Sequence, residues 1–249
     1  MSIEEELEEL EKVRAETKKK APPKTMKELN LLLAELGENW RMANATTDKN
    51  TGDITKIPDV PPRQVANILK ANCTFILIGE DNPELSPLAV YDLDNGIYQK
   101  GTRFIYRLCM QVQYDLTEYQ CKTIIHYLTV ESEERERTTD KNLIVVKNGV
   151  YHRKKHKLLP FSSKYVFVNK IDTNYIPNAK EPDFKDWNFS EWIKELSDGN
   201  ASKEKLLWQL FAVTINANYI SEVAVFFYSE QGRTGKSTFQ QLLINLVGK

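Results

Sequence analysis

The chain has 249 residues, 41% hydrophobic and 28% charged, which is enough to bury a core and too apolar for a disordered protein. Thirty-four Lys and Arg against thirty-five Asp and Glu give a formal net charge of −1, which excludes a polybasic, histone-like protein. No apolar run approaches the ~18 to 20 residues that span a bilayer, and the opening MSIEEELEELEK is too acidic for a secretory signal.

Residues 1–24 carry seven acids and six bases before Ala21-Pro22-Pro23. Ile3, Leu7, Leu10 and Val13 recur at helical spacing, so this is either a solvated amphipathic helix or a frayed charged lead-in. Met26 to Leu36 reads as a helix that stops at Gly37, and residues 43–60 read as a turn-rich loop. Pro61-Pro62 then opens a helix from Arg63 to Ala71. The period changes to that of strands at Thr74 to Ile78, Leu88 to Asp92 and Ile97 to Gln99, the last two joined by Asp94-Asn95-Gly96. Thr117 to Leu128 is a helix that carries His126 as a packed or partly buried residue, and Glu131 to Asp140 is a charged loop. Asn148-Gly149 joins strands at Leu143 to Val146 and Val150 to His152, and a further strand follows at Tyr165 to Asn169. Helix returns at Glu191 to Leu196 and Lys203 to Ile215, separated by Ser197-Asp198-Gly199-Asn200. An apolar strand from Val223 to Tyr228, a small-residue loop and a helix from Ser237 to Val247 end the chain.

The strongest chemical signal is Gly235-Lys236-Ser237-Thr238, set between that strand and that helix, the context of a phosphate-binding loop. Backbone N–H groups of Gly232, Arg233, Thr234, Gly235, Lys236 and Ser237 would curl round a β-phosphate at the positive end of the helix. Lys236 would reach the β- and γ-phosphates, and Ser237 would place its hydroxyl on Mg²⁺. The first glycine of the G-x-x-x-x-G-K-[ST] pattern is replaced by Glu230. No acid able to hold the metal follows, so hydrolysis of ATP by this chain alone is not expected, and no catalytic residue is assigned.

The segments Asn148-Gly149-Val150-Tyr151, Lys157 to Ser162, Asn169-Lys170-Ile171 and Asn174 to Ala179 resemble phage and plasmid primase–helicases of the poxvirus type. So do Leu206-Leu207-Trp208-Gln209, the aromatic strand ending at Tyr228, and Thr234 to Phe239. The resemblance covers roughly residues 85–249. It implies an N-terminal module joined to a superfamily 3 helicase domain that forms rings on DNA and consumes ATP. It puts Gly235, Lys236 and Ser237 on nucleotide-binding positions. Arg233-Thr234 stands where many members have Gly-Asn.

Residues 141–157 hold six bases and no acid, among them Arg153, Lys154, Lys155 and Lys157. At a hairpin turn these four would form a patch that contacts DNA phosphates, or a turn kept charged for solubility. His152 and His156 have an H-x3-H spacing, but the residues between them are basic and no CxxC accompanies them, which argues against zinc. Trp187, Trp192 and Trp208 fit helix packing better than base stacking. Residues 181–204 carry seven acids and three bases. That contrast with 141–157 suits either head-to-tail contacts between subunits or pairing within a monomer.

The expected architecture is an α+β N-terminal module over 25–183 after the charged segment 1–24. A helical connector follows over 184–220. Residues 221–249 then start an incomplete α/β, AAA+-like ATPase domain, cut after its Walker A helix. The expected function is the N-terminal portion of a phage or mobile-element replicative helicase or primase–helicase. Gly232 to Thr238 would bind ATP with Mg²⁺, and DNA, replication proteins and a second copy of the chain are the expected partners. Three cysteines (Cys73, Cys109, Cys121) without a CxxC pair point to a reducing cytoplasm, that of the host cell if phage-encoded, and no membrane partner is expected. The alternative is a free-standing, non-catalytic module that binds a host or phage protein.

Overall fold

The computed structural model describes residues 21–79, 82, 85–182, 184–219, 222, 224–230 and 232–248. The helix expected over Ile3 to Val13 and residue Val223 lie outside these. The contacts gather into two compact units, residues 1–137 with 163–168, and residues 138–162 with 169–249.

In the first unit, α1 (Met26–Ala43) begins where Thr25 Oγ1 accepts the Glu28 N–H at 3.1 Å. It does not stop at Gly37. The glycine lies inside the helix and faces the Val112 carbonyl, so its role is close approach of two backbones. A two-stranded hairpin, β1 (Thr46–Thr47) and β2 (Ile54–Lys56), occupies the stretch read as loop. The helix α2 (Pro62–Asn72) follows Pro61 as expected. A helix not foreseen, α3 (Thr102–Val112), buries Ile105, Leu108, Cys109 and Val112. Its N-cap is Gly101, which offers no side-chain capping bond, so the usual start signal is missing. Thr117 and Gln120 form a capping box ahead of α4 (Glu118–Val130). His126 on α4 is exposed, not packed, because Cys121, Ile124 and Leu128 take the inward face.

The first sheet runs β5-β4-β3-β6, from β3 (Phe75–Ile78), β4 (Leu88–Asp92), β5 (Ile97–Lys100) and β6 (Glu134–Arg135). All its pairs are antiparallel except β3–β6, and β6 lies inside the stretch read as a charged loop. The register sets Phe75 opposite Val90 and Ile76 opposite Ala89. With a side-chain period of two, Phe75 and Val90 turn toward the helices. Ile76, Ile78, Ala89, Tyr91 and Tyr98 cluster on the other face with Val166. Each fully buried Leu, Ile or Val side chain contributes about 1.5–3 kcal/mol.

The strand expected at Tyr165 to Asn169 is not formed. The chain there is pinned at separate points instead. The Tyr98 N–H donates to the Phe167 carbonyl at 2.7 Å and the Tyr98 hydroxyl to the Ser163 carbonyl at 2.6 Å. Arg135 donates to the carbonyls of Ser163 and Lys164 at 3.1 and 2.6 Å. Side-chain donors replace a ladder, so the backbone need not be regular.

The second unit has an antiparallel sheet, β7-β8-β9, from β7 (Leu143–Val146), β8 (Gly149–His152) and β9 (Lys157–Leu159). Its helices are α5 (Phe189–Leu196), α6 (Ala201–Thr214) and α7 (Lys236–Val247). Asn188 caps α5 and Asn200 caps α6, so the polar turn between them works as anticipated. Asn216 Nδ2 donates to the Lys141 carbonyl and Asn218 Nδ2 to that of Asp140, both at 3.0 Å, which ties the end of α6 to the start of the sheet. Thr173 Oγ1 holds the Leu246 carbonyl at 2.9 Å and so anchors the end of α7.

No strand is assigned over residues 224–228, where a buried one was expected. Phe226 and Tyr228 are 89% and 83% exposed, and only Phe227 turns inward, onto Phe239 at 5.5 Å. Among the described residues no sheet includes this segment, and a strand exists only as a paired state.

Candidate functional site

The loop from Ser229 to Lys236 enters α7 through Gly235, whose φ of +78° belongs to the left-handed region. A Cβ at that position would lie 2.6 Å from Leu196 Cδ2, so both space and backbone select glycine. Arg233 is also left-handed, at φ +63°. Two left-handed residues with Thr234 between them curl the loop. Gly235 offers no side-chain cap to α7. The first-turn N–H groups of a helix have no intrahelical partner, and a glycine cap leaves them open to an anion.

The Lys236 ammonium bends back over this loop. It donates to Thr234 Oγ1 at 2.8 Å and to Ser229 Oγ, and the two hydroxyls are 3.1 Å apart. Ser237 and Thr238 are exposed at the start of the helix. Beside the loop opens a cleft of about 800 Å³, lined among others by Trp192, Glu195, Asp198, Lys203, Arg233 and Lys236. Three cations thus face two carboxylates, a balance that favours an anionic ligand. Glu230, the residue in place of the first glycine, is exposed and does not line this cleft.

An aromatic cluster supports the loop from below. Phe239 is 1% exposed, and its ring lies 5.1 Å from Phe211 and 6.5 Å from Trp192. Phe189 meets Trp208 and Phe211 edge-on at 5.6 and 5.7 Å. The tryptophans are therefore packing residues, although Trp187 and Trp208 keep 45% and 40% of their surface open.

Arg153, Lys154 and Lys155 form a 3-10 turn between β8 and β9, and Lys157 opens β9. All four are exposed. The turn closes at His156, in the left-handed region with φ +49°. Its Nδ1 is 3.2 Å from the Tyr151 hydroxyl, and Tyr151 stacks on Tyr175 with ring centroids 4.3 Å apart. Asn148 clamps the Tyr175 backbone through both of its amide atoms, each at 2.9 Å. The patch thus stands on a rigid base. Asp140 lies close enough to the turn to feel the Lys154 charge. The Asn142 amides hold its carboxyl below the usual range, and the charges of His152 and Lys154 lower it further. Among the described residues, none of the four patch residues is in an ion pair with a carboxylate.

The sequence-predicted loop and basic turn both lie in the second unit. Sequence reasoning missed Ser229, the hydroxyl that receives Lys236, and Leu196, which enforces glycine at 235. Ser229 follows an apolar run with nothing to mark it, and Leu196 lies 39 residues before Gly235, so no local pattern links them. Among the described residues, no group of three or more His, Cys, Asp or Glu is placed to hold a metal. None of their helices is long and apolar enough to cross a membrane.

The family model described as D5 N terminal like matches residues 64–195, just over half of the chain. That span runs from α2 to the end of α5, so it includes the basic turn and leaves out the loop at 232–238. No curated protein sequence matches the chain.

Proposed function

Since the chain belongs to the D5 N terminal like family, the N-terminal module of D5-like primase–helicases, we propose that it serves in the replication of a phage or other mobile element. It binds ATP with Mg²⁺ at Gly232 to Thr238 and DNA at Arg153, Lys154, Lys155 and Lys157. The observation that carries the nucleotide reading is the Gly235 turn, where a Cβ would strike Leu196 and the helix start lacks a side-chain cap. These residues fit a triphosphate: open amides for the β-phosphate, the Lys236 ammonium within reach of the loop, and the Ser237 hydroxyl as a metal ligand. Bound Mg²⁺ would neutralise charge on the phosphates. On binding, Lys236 exchanges the hydroxyls of Ser229 and Thr234 for phosphate oxygens. Those hydroxyls hold the ammonium over the loop beforehand, which lowers the ordering cost of binding.

A titration with a fluorescent ATP analogue and Mg²⁺ tests this. The chain should bind, and Lys236→Ala should lose binding while its thermal unfolding stays that of the parent. Equal binding by both proteins would refute the assignment.

A further inference from the structure

The α3–α4 pair forms a helical hairpin in the first unit, whereas both sites considered so far belong to the second. Cys109 of α3 and Cys121 of α4 are both buried in the same core cluster, on the inner side of the pair. The two helices are in contact, so their outward rows border one another.

Helical spacing sets the content of each row. Arg103, Tyr106, Arg107 and Met110 recur at three- and four-residue steps on α3, and Tyr119, Lys122 and His126 on α4. Tyr114 stands in the turn between the helices. Arg103, Arg107, Lys122 and His126 are exposed, and Tyr114 and Tyr119 are 73% and 80% exposed. The Arg41 guanidinium lies 5.9 Å over the Tyr114 ring and holds it in place. From Asn95 to Tyr114 the chain has no acid at all. Glu118 and Lys122 pair at 2.8 Å and cancel, and Asp115 accepts from Gln113 Nε2, so the two arginines are the cations this face offers. Among the described residues, neither Arg103 nor Arg107 is in an ion pair with a carboxylate.

We propose that this outer face binds single-stranded nucleic acid. Cations interleaved with open tyrosine rings match a ligand that offers both phosphates and unstacked base faces. A duplex would engage the arginines but hide its bases from the tyrosines. An acidic peptide would likewise satisfy the cations and leave the large rings without a partner. The inference stands on the hairpin alone and does not require the loop at 232–238 or the basic turn at 153–157.

Fluorescence anisotropy with an oligothymidylate and an oligouridylate of about 20 nucleotides, longer than the ~4–16 nucleotides that a small binding site covers, tests it. Binding of either strand should weaken at least about tenfold in Tyr114→Ala/Tyr119→Ala, because each stacked base is lost independently. The ratio of the two affinities tells DNA from RNA. Arg103→Glu/Arg107→Glu should weaken binding and also flatten its salt dependence. The charge reversal at 153–157 is measured in parallel, so loss there alone separates the two surfaces. In the unaltered chain, iodouridine-substituted strands should crosslink within residues 103–126. No single-strand binding by the parent, parent-like binding by the tyrosine variant, a preference for duplex that survives the charge reversal at 153–157, or crosslinks only outside the hairpin would each overturn the proposal.

Discussion

Gly37 and Val112 mark the point where α1 and α3 cross backbone to backbone. A Cβ built on Gly37 would run into the Val112 carbonyl oxygen and lie 2.9 Å from its carbon. Gly37→Ala should gain about 1 kcal/mol of helix propensity. It must also push two backbones apart in a packed core, where overpacking costs about 1–3 kcal/mol and more when backbone has to move. The cost wins, and a net loss of about 2 kcal/mol should appear as a lower urea midpoint. Asn39→Ala, on the exposed side of the same helix, should shift stability by less than about 0.5 kcal/mol. A Gly37→Ala protein as stable as its parent would show that the crossing is loose.

The same residue explains where sequence reading succeeds and where it stops. A glycine after an apolar run is a common helix end, and nothing local tells that signal from a glycine that admits a neighbouring helix. Most strands of both sheets could be read from apolar runs bounded by turn residues, as at Leu88 to Asp92 and Leu143 to Val146. The two-residue β6 could not, because Glu134 and Arg135 carry no strand pattern and pair only through β3. Helix α3 was hidden by its uncapped start. The segment at 165–169 looked like a strand because Tyr165, Val166, Phe167 and Val168 are good strand residues, yet its backbone is held by Tyr98 and Arg135 from far along the chain. At the candidate nucleotide loop the motif itself was legible. The hydroxyl of Ser229 and the wall made by Leu196 were not, since both depend on tertiary approach.

Gln113, 1% exposed, joins three parts of the first unit through one amide. Its Oε1 accepts from the Val60 N–H and from Arg41 Nη1, both at 3.2 Å, and its Nε2 donates to Asp59 Oδ1 at 3.0 Å and to Asp115. Gln113→Ala leaves the buried Val60 donor unmatched and opens a cavity, for a loss of about 2–4 kcal/mol. Gln113→Glu keeps the shape but sets a carboxylate against two others. It should be less stable than the parent at neutral pH and recover part of that loss in acid, a difference readable from thermal unfolding at several pH values.

Glu131 ends α4 and ties it to α2, through Arg63 Nη1 at 2.5 Å and Lys70 Nζ at 2.7 Å. Burial raises its pKa, but the hydrogen bonds and charges of Lys70 and Arg63 outweigh that and hold the carboxyl below its ordinary value. A lowered folded-state pKa means that the unfolded chain takes up the proton first as pH falls. The stabilisation is therefore full above the ordinary glutamate value of about 4.3 and disappears as pH drops through the lower folded value. Because the cations are half open to solvent, the contribution is about 1 kcal/mol or less. Glu131→Gln should be slightly less stable than the parent at pH 7, and the gap should close below pH ~4. A gap that persists unchanged in strong acid would mean that packing, not charge, carries the effect.

The basic turn gives the sharpest test of the DNA reading, because its side chains are exposed and contribute little to the fold. Replacing Arg153, Lys154, Lys155 and Lys157 by Glu should leave thermal unfolding nearly unchanged, since the rigid base lies in Asn148, Tyr151 and Tyr175. If all four contact phosphates, the affinity of the parent for DNA should fall with salt at a log–log slope of about −3, from roughly 0.7 to 0.9 per contact. Single neutral replacements should each reduce that slope by just under one unit and weaken binding alike for every sequence, as expected of contacts that read charge rather than bases. The fourfold reversal should bring binding of duplex DNA below detection at low salt. A parent chain indifferent to single- and double-stranded DNA at low salt would leave the patch as a solvated turn and favour a protein-binding role for the module.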